Sequence, residues 1–193
     1  MPSLGASGSD PDRPAARGTD SPPTSARPVS AEGPDALYRG DGQAASSDLA
    51  SLLQSSIQAA VEALGLDTGA IYTIDAGVLF LGATTPALPP DFPLHLRYAL
   101  LEDHPHIDEC VRTATPLYFP DATKVALAPD ERHAVQARGI VTLVYVPLLA
   151  EDGPVGVMLL GSQSGPADVS AELIEQGRTL AQEIASVVSG RPR

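Results

Sequence analysis

The residues of this chain with the widest chemical range are its four histidines and its single cysteine. His104, His106 and Cys110 lie close together. On a helix, His106 and Cys110 are four residues apart and share a face. Imidazole and thiolate both ligate zinc or iron. Two ligands do not complete a site, however, and Cys110 stands beside Ile107 and Val111, where a thiol behaves as a small hydrophobe. His104 reads as the residue before a helix-starting proline. The spacing therefore disfavours haem or a metal and leaves any cofactor unassigned. As a nucleophile, Cys110 would need a base and a lowered pKa, and only His106 is placed to help. No G-x-S-x-G elbow is present. No enzymatic activity is expected. Tyr98, Tyr118 and Tyr145 each bring an apolar body with a polar tip. With His106, Cys110 and Asp121 they form the set of candidate ligand-binding residues. The plainer reading is that the tyrosines sit at the edge of a core and that Asp121 shapes the turn after Pro120.

The elements that must position these residues follow from periodicity. Leu49, Leu52, Leu53, Ile57, Ala60, Val61 and Leu64 recur at helical spacing behind Ser47, a suitable N-cap, and Gly65 can end that helix. Ala70 to Ile74 and Val78 to Leu81 read as a hairpin about Asp75-Ala76-Gly77. Pro86, Pro89, Pro90 and Pro93 make a loop, and Leu94 to Leu101 reads as a strand, with a helix as the alternative. A helix should open at Pro105 and stop before Pro116. Leu117 to Phe119 reads as a short strand, and Pro129 to Ala137 as a short helix stopped by Gly139. Ile140 to Leu149 is almost wholly apolar, as a strand buried on both faces requires. Val155 to Leu160 is its partner across Glu151-Asp152-Gly153. Ser170 caps a last helix, whose stripe is Leu173, Gly177, Leu180, Ile184 and Val187.

Composition narrows the function. The chain has 193 residues, 43% of them hydrophobic but only 4% aromatic, with no tryptophan. A core must therefore be aliphatic. The net charge of −12 opposes phosphate backbones and anionic membranes, so neither nucleic acid nor membrane is an expected partner. One cysteine cannot form an intrachain disulfide, which fits the cytoplasm, and no signal peptide or spanning segment is apparent. Residues 1–45 are rich in Pro, Gly, Ser, Ala and Asp and are expected to form a disordered, solvated tail with no dedicated partner, the alternative being a docking arm through Leu37 and Tyr38. A domain should occupy 46–190, with 191–193 as a C-terminal tail. No output segment is apparent, so any signal is expected to pass to another protein.

The segments "HPHIDECVRTATPLYFPDA" and "ARGIVTLVYVPLLAEDGPVGVMLLGS", set between two amphipathic helices, resemble a bacterial GAF domain. Val146-Pro147-Leu148 and the run from Val155 to Ser162 carry the resemblance most specifically, over roughly Ser47 to Val188. It implies an α+β fold: a central antiparallel sheet, the N- and C-terminal helices on one face, and short helices and loops over the other. It further implies a sensory or regulatory domain that binds an unidentified small molecule and signals through a partner protein or a dimer. Leu53, Ile57 and Leu64 with Leu173, Leu180, Ile184 and Val187 are the candidate homodimer stripe. Enzymatic relatives, the free methionine sulfoxide reductases, are expected to use several cysteines. The N-K-F…D-E signature of cyclic-nucleotide binders is absent, and Cys110 lacks the surroundings of a bilin attachment site. The alternative is a ligand-free scaffold for dimerisation or protein interaction.

Overall fold

The computed structural model describes residues 43–88, 90, 92–93 and 96–190. The expected tail, with Leu37 and Tyr38, lies outside the described residues up to residue 42, as do 191–193. The first helix, α1 (Gln43–Ala63), begins earlier than Ser47, which is therefore inside the helix and not its cap. Gln43, Ala44 and Ala45 are good helix formers, and they extend it backward. Gly65, at φ +63°, turns the chain in the left-handed conformation and leads it to the sheet.

The hairpin β1 (Thr68–Asp75) and β2 (Val78–Thr85) is longer than its alternating pattern suggested. Ala76 and Gly77 both have positive φ, which matches the twist of a two-residue hairpin turn. Of the strand expected over 94–101, residues 94 and 95 lie outside the described residues, and within the remainder β3 is Tyr98–Leu100, followed by a 3-10 turn over Leu101–Asp103. Next come α2 (Pro105–Thr113), β4 (Leu117–Phe119), a 3-10 turn over Ala122–Lys124 and α3 (Pro129–Ala137). The second hairpin, β5 (Thr142–Ala150) and β6 (Gly153–Ser162), leads to α4 (Ala171–Ser189). Ser170 caps α4 as expected, its hydroxyl accepting the Leu173 N–H.

One antiparallel sheet runs β3-β2-β1-β6-β5-β4. Along β5, Val144, Val146 and Leu148 point to one face and Leu143 and Tyr145 to the other, because side chains alternate along a strand. The first set packs with Leu53, Ile57 and Ala60 of α1 and Ala181, Ile184 and Ala185 of α4. The second set packs with Ile107, Cys110 and Val111 of α2 and Val135 of α3. The sheet thus carries two cores, one per face, and β5 is buried on both, as its composition predicted. The α1 side is tightly closed: Gly69 of β1 leaves no room for a Cβ against Ile57 and Val61.

Candidate functional site

On the α2–α3 side the packing is incomplete. A partly open cavity of about 50 Å³ lies between the sheet and α3, bordered by Phe92 and Leu96 of the proline-rich loop. Its walls are largely apolar: Leu79, Ala99, Ile107, Val135, Leu143 and Leu159. Six polar residues are also among them: Thr68, Tyr72, His104, Glu131, Arg138 and Tyr145. A larger cleft of about 300 Å³ lies outside, and Val135 and Ile140 line both spaces.

The sequence places these groups through two simple periods. Tyr72, Ala70 and Thr68 alternate along β1 and so share the cavity face. Glu131, Ala134, Val135 and Arg138 recur at helical spacing, so one stripe of α3 faces the sheet. Glu131 and Arg138 are two turns apart, about 10 Å along the helix axis. The cavity therefore has a Glu131 end and an Arg138 end.

At the first end the Glu131 side chain is completely buried. Its carboxylate accepts the His106 N–H at 2.9 Å, the His106 ring Nδ1–H at 2.6 Å and the Ala128 N–H at 3.2 Å. The bond to Ala128 closes the N-terminus of α3, and the bonds to His106 fasten that helix to the start of α2. A buried carboxylate is tolerable only with such partners. His106 stacks edge-on against Phe119, and Phe119 against Tyr145, with ring centroids 5.2 and 5.9 Å apart. Burial pushes the Tyr145 phenol well above its ordinary pKa, and the Glu131 charge adds to the effect. The phenol therefore stays protonated and is a donor. Among the described residues it has no hydrogen-bond acceptor. His104 is buried, and its Nδ1 donates to the Leu100 carbonyl at 3.1 Å. A carbonyl can only accept, so Nδ1 carries the proton of that bond.

At the other end Arg138 follows the last residue of α3. Its guanidinium donates to the hydroxyls of Thr84 and Thr68 and to the Thr85 carbonyl. Each threonine has already given its own proton, Thr84 to the Gly69 carbonyl and Thr68 to the Thr85 carbonyl, so both offer lone pairs to the arginine. Burial lowers the Arg138 pKa from its ordinary value, and Tyr72 opposes that shift. Tyr72 is pushed up to about 12 by burial, against the pull of Arg138, and donates to the Leu96 carbonyl at 2.9 Å. Among the described residues no carboxylate pairs with Arg138.

Of the six residues selected from sequence, only Tyr145 lines the cavity. His106 stands behind it and acts on Glu131. Cys110 is wholly buried in the apolar core, and desolvation pushes its thiol up to about 12, which leaves no reactive thiolate. Tyr118 lies on the opposite side of the sheet, donating to the Ala167 carbonyl and accepting the Val169 N–H. Asp121 caps the following 3-10 turn and pairs with Lys124 at 2.8 Å. Tyr98 is 44% exposed on the edge strand, against Phe80. Sequence reasoning missed Tyr72, His104, Glu131 and Arg138. One readable signal was Glu131 inside the predicted helix, with Arg138 just past its end in phase with it. Among the described residues no cluster of three or more His, Cys, Asp and Glu is placed to hold a metal.

The proposed dimer stripe is largely used within the protomer. Leu53, Ile57, Leu64 and Ile184 are buried in the core beneath α1 and α4, while Leu173, Leu180 and Val187 remain half-buried. Leu52 of α1 is 45% exposed. No described helix is long and apolar enough to cross a membrane.

Comparison with known structures supports this architecture. The GAF domain/HD domain protein from Geobacter sulfurreducens superposes with a TM-score of 0.63 at 18% identity, covering 76% of this chain and 95% of that one. The blue-light absorbing form of the PixJ GAF domain from Thermosynechococcus elongatus gives 0.59 at 19%, covering 75% and 86%. The GAF domain of an Acinetobacter phosphoenolpyruvate-protein phosphotransferase gives 0.60 at 17%, covering 74% and 82%. Among curated proteins no sequence match was found. The sequence model of the GAF domain itself matches residues 46–189, nearly the whole described region, and the chain belongs to the GAF domain family.

Proposed function

We propose that this chain is a sensory or regulatory GAF domain whose small-molecule site is the cavity between the sheet and α3. The observation that carries this reading is a cavity in the sheet's α2–α3 face whose largely apolar walls include the polar side chains of Tyr145, His104 and Arg138. Here Tyr145, His104 and Arg138 converge on one space, whereas the α1–α4 face of the same sheet is filled by aliphatic side chains. An apolar pocket with a few converging polar groups is the usual form of a small-molecule site.

Occupancy would be transmitted through the sheet. β5 touches the cavity with Leu143 and Tyr145 and touches α4 with Val144 and Val146, so a shift on one face reaches the other directly. The readout would be a homodimer or a partner protein meeting the outer surface of α1 and α4, where Leu52, Leu180 and Val187 keep part of their apolar surface. Native mass spectrometry of the chain purified from its own type of cell, with an absorption spectrum, tests the ligand. Excess mass lost on denaturation is expected. A bare mass, together with a melting temperature that no metabolite fraction raises, would leave the fold as an interaction scaffold. Leu52→Glu, at an exposed position, should lower the dimer fraction at micromolar concentration without lowering the melting temperature. An unchanged mass in solution removes that interface.

A further inference from the structure

Building on the reading of this cavity as a ligand site, we infer that its ligand is a short-chain aliphatic monocarboxylate whose carboxylate is held by Arg138. Among the described residues Arg138 is the one arginine or lysine that lines the cavity, and its described partners are two hydroxyls and a carbonyl, all neutral. Of a guanidinium's five N–H groups, three are so engaged, and the other two have no partner among the described residues. The same three bonds fix the plane of the head group against β1 and β2, so little ordering remains for a ligand to impose. A partly buried guanidinium without a counter-ion is costly, and a carboxylate that shares its hydrogen bonds relieves that cost. Glu131 does not serve, since its oxygens are occupied by His106 and Ala128 about two turns away along α3.

Charge sets the head of the ligand, and the walls set its tail. Leu79, Leu143, Val135 and Leu159 offer nothing to a second charge, which disfavours dicarboxylates and inorganic phosphate. A space of about 50 Å³ is also well below the ~150 Å³ that accommodates benzene. That size restricts the body to a short alkyl chain. The Tyr145 phenol, at the far end, retains a water or meets a small polar substituent.

The test uses the full chain at pH 7, with acetate and propionate as probes, propionamide as the neutral isostere and inorganic phosphate as the alternative anion. Calorimetric titration and thermal melts should show the acids binding and raising the melting temperature. The amide should bind at least about tenfold more weakly, the scale of one lost charge-assisted contact. Arg138→Met should abolish acid binding and Arg138→Lys should keep part of it, each with a melt to confirm folding. The acid-to-amide ratio in the unaltered chain decides the matter even if Arg138→Met does not fold. Equal binding of acid and amide, or binding of phosphate alone, overturns the carboxylate while leaving a sensor. Absence of binding by all four probes, with no retained mass in the native chain, overturns the ligand and the sensory reading together.

Discussion

The two faces of this sheet are built from the same strands and do opposite things. Beneath α1 and α4 the contacts are aliphatic and close: Gly69 admits Ile57, Gly82 admits Leu53, and Ile57, Ala60 and Ala185 are completely buried. Beneath α2 and α3 the sheet meets a carboxylate, an imidazole, a phenol and a guanidinium around a void. Side-chain alternation allows this division, since neighbouring residues of β5 serve opposite faces. One face is closely packed, and the other leaves a cavity with polar side chains in its walls.

That contrast can be broken most forcefully from the closed face. Ile57 is wholly buried between α1 and the sheet. Ile57→Ala should cost about 4 kcal/mol, the range for a large aliphatic residue removed from a core that cannot collapse. The drop should appear in denaturant melts, while ligand affinity of the folded fraction stays unchanged. A comparable loss of affinity would show that the faces are not separable.

The second test removes the buried charge of the open face. Glu131→Gln keeps the shape but weakens the three bonds that join α3 to α2, and should cost about 2 kcal/mol. Glu131→Ala should cost more, since it leaves the His106 and Ala128 donors without their acceptor. Chemical denaturation of both variants measures the difference. Equal, negligible losses would mean that the Glu131 end carries no structural weight.

Much of the fold was legible because it follows from local period. The two hairpins, the helix from Pro105 and the Ser170 cap are all readable within a dozen or so residues, and β5 announced its double burial by having almost no polar residue. The first helix was misjudged at its start, where Ser47 looked like a cap but Gln43 to Ala45 favour continuing the helix. The site was far less legible. Arg138 reaches Thr68 and Thr84 across 70 and 54 residues, a pairing set by register and invisible to any window. Tyrosines were selected for their type, yet Tyr118 and Tyr145 fall on opposite faces of the sheet although β4 and β5 are neighbours. His106 and Cys110 share a helix but not a purpose, one bound to Glu131 and the other sealed in the core.

The smallest effect belongs to a polar cluster that lies outside the cavity. Asp67, just before β1, accepts the N–H groups of Gln163 and Ser164 and the hydroxyls of Ser162 and Ser164 at 2.8–3.0 Å. These bonds, led by the Gln163 and Ser164 N–H groups, lower its pKa from 3.8 to about 2. A folded value below the unfolded one means that the unfolded chain binds more protons in between, so stability falls with decreasing pH there. The contribution is complete above pH 3.8 and disappears as pH falls through about 2. Asp67 is exposed, so solvent screening reduces its worth to a few tenths of a kcal/mol, up to about 1. Asp67→Asn should flatten the stability profile by that amount between those pH values, measured by urea melts. Its affinity for any cavity ligand at pH 7 should equal that of the unaltered chain. A changed affinity would extend the open face's site to the end of the sheet, whereas an unchanged pH profile would show that the cluster's hydrogen bonds contribute nothing net to folding.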